Sequence, residues 1–195
     1  MKIGALQKTT LLDFPGKLAC IVFTQGCNLR CGYCYNNVLW DFNAPGAVPE
    51  KEVIDFLKTR INKLEGVVIT GGEPTMQKGL KKFIKKIRAL GFKIKLDTNG
   101  TGPKVLKELL EEKLLDYVAM DVKGPLSKYK QITGTDALNK QIKESISLIR
   151  ESGVDYEFRT VKLDILTDED FKEIKSLIGK NSKHYTNDFL SPDMI

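Results

Sequence analysis

The sequence predicts an α/β protein built on a largely parallel sheet, and three observations carry that reading. Short runs rich in β-branched and aromatic residues recur near 18–24, 66–70, 93–97, 116–122 and 155–162, with a sixth near 184–190. Helical periodicity fills the intervals between them. Glycine-rich or polar residues of unusual chemistry then gather at the ends of the runs. Strands separated by helices pair in parallel through crossover connections, so the sheet is either doubly wound or curved toward a barrel, and periodicity alone does not separate the two.

In chain order, residues 1–17 read as an N-terminal extension, 18–179 as a βα core and 180–195 as a last strand and tail of one domain. The first strand has the apolar body Ile21-Val22-Phe23. Pro49 stands where a first-turn proline is tolerated, and Val53, Ile54, Leu57 and Ile61 follow on one helical face. After the second strand, Val67-Val68-Ile69, the residues Leu80, Phe83, Ile84, Ile87 and Leu90 form an apolar stripe. Lys78, Lys81, Lys82, Lys85, Lys86 and Arg88 mostly fall off that stripe, as a solvated face does. Gly91 stops this helix. Pro103 opens the next, which carries Val105, Leu106, Leu109 and Leu110. Thr135 or Asp136 then caps a helix carrying Leu138, Ile142, Ile146 and Ile149, and Gly153 ends it.

Composition narrows the function classes. The chain has 195 residues, 42% of them hydrophobic, enough to bury one substantial core. Its net charge of +6 permits an acidic partner without requiring one, and no nucleic-acid-binding motif is present. No apolar run approaches the roughly 18 residues a membrane helix needs, and no signal peptide is evident. The expectation is a soluble cytoplasmic protein with no membrane or nucleic-acid partner.

The chemistry lies after the strands, where both candidate architectures place their active sites. Cys27-Asn28-Leu29-Arg30-Cys31-Gly32-Tyr33-Cys34 puts three of the 4 cysteines within eight positions, which points to metal ligation and away from a disulfide framework. Three thiolates leave one coordination position of a metal centre open for chemistry. The bland alternative is a non-catalytic zinc module completed by Cys20 or His184, but structural zinc usually takes paired ligand knuckles. Cys20 reads as a core residue and His184 as an ordinary strand residue.

Gly71-Gly72-Glu73-Pro74 follows the second strand and Asp97-Thr98-Asn99-Gly100 closes the third. Each is either a turn or a backbone brought close to a ligand. Asp121 and Lys123 share one side of the fourth strand, as an ion pair or as cleft residues. Arg159, in the fifth, offers a bidentate fork for a carboxylate or forms a surface ion pair.

The cysteine spacing with an aromatic residue before the third cysteine, together with the Gly71-Gly72-Glu73-Pro74 run, resembles the radical S-adenosylmethionine (SAM) enzymes. Within them, Leu11-Leu12-Asp13-Phe14-Pro15-Gly16-Lys17, Thr24-Gln25-Gly26-Cys27-Asn28-Leu29-Arg30-Cys31, Leu96-Asp97-Thr98-Asn99-Gly100 and Asp121-Val122-Lys123 look like activating proteins of anaerobic ribonucleoside-triphosphate reductase. The likeness covers residues 3–165 and implies a partial (β/α)6 barrel of parallel strands.

It further implies that Cys27, Cys31 and Cys34 ligate a 4Fe–4S cluster whose fourth iron binds SAM, and that the enzyme makes a glycyl radical on a partner. The electron donor would be a flavodoxin or ferredoxin. Tyr33, Gly71, Gly72, Glu73, Asp97, Asn99, Asp121, Lys123 and Arg159 would bind the cofactor, Glu73 at the SAM amino group and Tyr33 near the adenine. Many relatives carry histidine where this chain has Tyr35, so no role of that histidine carries over. A radical SAM enzyme acting on a small molecule or RNA is the alternative that shares the same cofactor.

Overall fold

The computed structural model describes residues 1–135 and 138–189. Its sheet has seven strands in sequence order: β1 (Ile3–Thr10), β2 (Ala19–Thr24), β3 (Gly66–Gly71), β4 (Lys93–Thr98), β5 (Tyr117–Asp121), β6 (Asp155–Lys162) and β7 (His184–Asp188). From β2 to β7 every neighbouring pair is parallel. The connections contain α1 (Glu50–Lys58), α2 (Leu80–Arg88), α3 (Pro103–Glu111), the short α4 (Tyr129–Thr133), α5 (Asn139–Glu151) and α6 (Asp168–Ile178).

A doubly wound sheet reverses its strand order at a switch point, and this order never reverses. Successive crossovers therefore step in one direction, the arrangement of an open (β/α)6 barrel, and its helices cover one face.

That outer face carries most of the apolar burial. Val22, Val67, Ile69, Ile94, Leu96, Val118, Met120 and Phe158 pack there against Val53, Leu57, Phe83, Ile84, Ile87, Leu106, Leu109, Ile142, Ile146 and Ile149 of the helices. Each such side chain stabilises the fold by about 1.5–3 kcal/mol relative to exposure. Cys20 belongs to this cluster, and burial pushes its thiol up to about 12, so it behaves as a small hydrophobe. The basic face of α2 points outward and is laced with ion pairs from Lys81 and Lys85 to Glu112, Lys86 to Glu50 and Arg88 to Asp116.

Several start and stop signals act as expected. Pro103 occupies the first turn of α3, and Gly91 and Gly153 follow α2 and α5 at positive φ. α6 opens on a full capping box between Thr167 and Asp170.

The N-terminal extension contains a strand that the sequence did not announce, and one helix cap lies elsewhere than expected. Residues 3–10 form β1, which pairs antiparallel with β2, Leu6 opposite Val22. Only Ile3 and Thr10 of β1 are buried, so its sequence lacks the alternation that announces a strand. Thr135 does not cap α5, because Leu138 holds the N-cap and the Thr135 hydroxyl donates to the Asn28 carbonyl at 3.2 Å. The Asp136 half of that expectation lies outside the described residues.

Candidate active site

The cysteine loop leaves β2 through Gly26, whose φ of +105° places the Phe42 ring where a side chain would project. Backbone bonds from Gly26 to Leu39 and from Cys27 to Trp40 fasten the loop to the segment that follows it. Arg30 braces it from outside: its Nη1 donates to the carbonyls of Cys27 (2.6 Å) and Leu29 (2.8 Å), and its guanidinium lies 5.4 Å from the Trp40 ring centre. Cys27 and Cys31 are buried, Cys34 is half-buried, and all three are free thiols. The Leu29 N–H and Asn99 Nδ2 both donate to the Cys27 sulfur, at 3.4 and 3.9 Å.

At the end of β3, Gly71 and Gly72 are needed because two chain segments meet there. A Cβ on Gly71 would lie 2.3 Å from the Thr24 nitrogen, and one on Gly72 would lie 2.2 Å from the Gly26 carbonyl oxygen. The neighbour in the Cβ direction is thus the end of β2 for Gly71 and the start of the cysteine loop for Gly72. Glu73 beside them is 1% exposed and accepts from Thr75 N–H, Thr75 Oγ1, Thr98 Oγ1 and Asn99 N–H at 2.6–3.0 Å. Burial pushes its pKa up, and those donors pull it back toward the charged form. Glu73 therefore fixes the end of β4 against the turn after β3.

The inner face of the sheet holds an alternating chain of charges. Lys95 donates to Asp97 at 2.6 Å, Asp97 accepts from Arg159 Nη2 at 3.1 Å, Arg159 Nε donates to Asp121 at 3.0 Å, and Lys123 donates to Asp121 at 2.9 Å. Arg159 thus commits its Nε and one Nη to protein carboxylates. Among the described residues the Lys123 ammonium makes one hydrogen bond, to Asp121, and lies 5.7 Å from the Tyr33 ring centre.

Burial alone would raise the Asp121 pKa, yet Lys123 and Arg159 hold it well below the usual carboxylate range. Burial likewise opposes the charge on Lys123, and Asp121, Tyr33 and Cys31 hold its pKa well above the ordinary value.

All twelve residues expected at the site line one cleft of about 910 Å³, its open mouth included: Cys27, Cys31, Tyr33, Cys34, Gly71, Gly72, Glu73, Asp97, Asn99, Asp121, Lys123 and Arg159. Sequence reasoning passed over Asn28, Thr98, Thr101, Arg30 and Lys95. Asn28 and Arg30 lie inside the cysteine motif and Thr98 and Thr101 flank Asn99, so proximity was the available signal. Lys95 alternates with Asp97 on one face of β4, the signal by which a buried pair could have been found.

The donor set fits a multi-iron cluster better than one ion. Among the described residues, no three His, Cys, Asp or Glu side chains converge on a single metal position. A cluster binds each thiolate to a different iron and so takes ligands set farther apart. His184 is engaged elsewhere, in a 2.9 Å hydrogen bond with Thr160.

Burial pushes the Cys27 thiol up to about 11 and raises Cys31, so both need a cation to become thiolates at neutral pH. The Tyr33 hydroxyl is buried, near the Cys31 thiol but outside hydrogen-bond geometry, and has no partner among the described residues. An orphaned donor, a partly committed cation and free thiols on one cleft suit a ligand with an anionic group.

Comparison with known proteins agrees with this chemistry. The profile of the Radical SAM superfamily matches residues 21–178. A Methanocaldococcus jannaschii protein provisionally named a glycyl-radical enzyme activating enzyme is 34% identical over 185 residues, 90% of this chain and 75% of that one. The pyruvate formate-lyase-activating enzyme of Clostridium pasteurianum is 29% identical over 185 residues, 91% of this chain and 76% of that one. In fold, the chain is similar to Streptococcus suis SuiB bound to S-adenosylmethionine, with a TM-score of 0.69 and 20% identity over 86% of this chain and 39% of SuiB. The chain therefore belongs to the radical SAM superfamily, in its branch of glycyl-radical enzyme activating enzymes, and is an enzyme that uses S-adenosylmethionine and a 4Fe–4S cluster.

Proposed function

We propose that this chain generates the glycyl radical of an anaerobic ribonucleoside-triphosphate reductase, with a flavodoxin or ferredoxin as electron donor, in the cytoplasm. The observation that carries the reading is the meeting of three free cysteines with Lys123 in one cleft at the strand ends. Cys27, Cys31 and Cys34 would hold the cluster. When bound, the cluster and S-adenosylmethionine supply one-electron chemistry that ends in removal of a hydrogen atom from a glycine of the partner.

The chain's own residues bind and orient. Lys123 keeps N–H groups beyond its bond to Asp121 and carries positive charge beside the thiols, so it is the residue suited to the cofactor carboxylate. Asp97, Asp121 and Arg159 hold that lysine in place, and the Arg159 fork is occupied in doing so. Glu73 acts through position: its carboxylate fixes Thr98 and Asn99, while the N–H groups of Gly72 and Glu73 donate to the Thr24 and Gly26 carbonyls and hold the turn against the start of the cysteine loop. Tyr33 lines the cleft, its hydroxyl buried without a hydrogen-bond partner among the described residues.

The test is anaerobic reconstitution with iron and sulfide, followed by reductant and S-adenosylmethionine. Release of 5′-deoxyadenosine and an organic-radical doublet on an added anaerobic reductase are the expected results. Release with no radical on that reductase would overturn the partner assignment and favour a small-molecule or RNA substrate. No release at all would overturn the site assignment.

A further inference from the structure

We propose that Asn99 is a positioning residue that raises the reduction potential of the cluster by donating an N–H to the Cys27 sulfur. The inference rests on the reading of Cys27 as a cluster ligand. Hydrogen-bond counting fixes the orientation of the Asn99 amide. The Thr101 N–H, which can only donate, lies 3.0 Å from one amide atom, so that atom is Oδ1 and the other is Nδ2.

The two Nδ2 hydrogens then have two acceptors, Asn28 Oδ1 at 3.1 Å and Cys27 Sγ at 3.9 Å. Asn28 Nδ2 donates to Thr101 Oγ1 at 2.9 Å, and Thr101 Oγ1 donates to Asn99 Oδ1 at 2.6 Å. Asn28, Thr101 and Asn99 thus form a closed ring in which each hydrogen bond fixes the direction of the next. The ring leaves one N–H free to meet the sulfur.

Glu73 completes the clamp by accepting from the Asn99 backbone N–H at 2.7 Å. Asn99 is 6% exposed, so little water competes for that N–H.

Cys27 is distinctive in this respect. Its sulfur accepts from Leu29 N–H and Asn99 Nδ2, whereas among the described residues no N–H donates to Cys31 or Cys34. A donor aimed at a cluster thiolate favours the more negative, reduced state, and such bonds are one means by which proteins set iron–sulfur potentials. Asn99 eases the uptake of the electron on which the chemistry depends.

The experiment is an anaerobic redox titration of the reconstituted protein, read by electron paramagnetic resonance of the reduced cluster, with iron and sulfide content as the loading control. Asn99→Ala should lower the reduced-to-oxidised ratio at a fixed potential roughly three- to tenfold, tenfold being ~59 mV for a one-electron couple.

Asn99→Asp keeps the acceptor that shapes the Thr101 turn, deletes the donor and adds a negative charge that also disfavours the reduced state, so it should shift the potential in the same direction and at least as far as Asn99→Ala. Thr101→Val leaves the Asn99 side chain in place but opens the ring; it should give a smaller shift of the same sign and decides the matter if an Asn99 variant fails to fold.

Fully loaded variants that titrate at the wild-type potential would overturn the proposal. So would a shift in Asn99→Ala with none in Asn99→Asp, which would assign the effect to the turn. A wild-type chain that takes up no cluster would instead sink the ligand assignment beneath it.

Discussion

The two ends of the same parallel strands are built from opposite chemistry. At the amino end, Phe14, Ala19, Ile21, Val68 and Tyr117 form an apolar plug, and the Phe14 ring fills space that a side chain on Gly66 would need. At the carboxyl end stand thiols, Asp97, Asp121, Lys123 and Arg159. Lys95 marks the border: it is 1% exposed, donates to Asp97 on one side and lies 5.8 Å from the Tyr117 ring centre on the other.

The difference teaches where each kind of free energy resides. Buried ion pairs are weak contributors to stability, because desolvation offsets most of their attraction. The outer face and the plug carry the fold, and the inner carboxyl end can therefore hold charge.

The sharpest break of that comparison is Cys31→Ala. It should abolish 5′-deoxyadenosine formation and cluster absorbance while leaving the metal-free protein as resistant to denaturant as the wild type. Retained cluster and turnover would remove Cys31 from the site.

Arg159→Met comes next, because it leaves Asp97 and Asp121 facing each other without their shared cation. Breaking such a network destabilises by about 3–5 kcal/mol, toward the lower figure here because the arginine side chain is 25% exposed. Urea unfolding measures the loss. An unchanged midpoint would mean that solvent, and not the arginine, satisfies those carboxylates.

How far the sequence could be read follows the same division. Apolar alternation and 3.6-residue stripes are repeated signals, so β2 to β6 and the helices α1, α2, α3 and α5 were legible within a few residues. The cleft residues were legible as types at strand ends. Their partners were not: that Glu73 accepts from four donors depends on Thr98 and Asn99 arriving from another strand.

The Arg159 fork shows the same limit, since its free or occupied state is decided by Asp97 and Asp121 across the sheet. β1 was missed for a different reason, an edge strand with too few buried residues to show a period. The capping box of Thr167 and Asp170 was present to be read and would have placed α6.

At the amino end, Phe14→Ala should cost about 3 kcal/mol, since the ring is 2% exposed and packs on Tyr117 at 6.2 Å between ring centres. Under conditions where the variant stays folded, its cluster potential and 5′-deoxyadenosine rate should equal those of the wild type. A change in either would show that the plug is coupled to the cleft through Lys95.

The smallest effect concerns Asp116, just ahead of β5. Its side chain is 18% exposed and accepts from Arg88 at 2.6 Å, Lys93 at 2.9 Å and the Ile94 N–H at 2.8 Å. Burial alone would raise its pKa, but the Ile94 N–H, Lys93 and Arg88 outweigh it and hold the carboxyl below the usual range.

A depressed native pKa adds stability above the unfolded value, about 3.9, and that stability is lost as pH falls through the native value. Asp116→Asn should therefore cost about 1–2 kcal/mol at neutral pH. The gap from wild type should narrow as acid protonates the wild-type carboxyl. A gap that stayed constant from neutral pH to well below about 3.9 would mean that the loss comes from the geometry of the Ile94 hydrogen bond and not from the carboxylate charge. Cleft chemistry should be indifferent throughout, because Asp116 borders the opposite mouth of the barrel with Phe14, Lys93 and Tyr117.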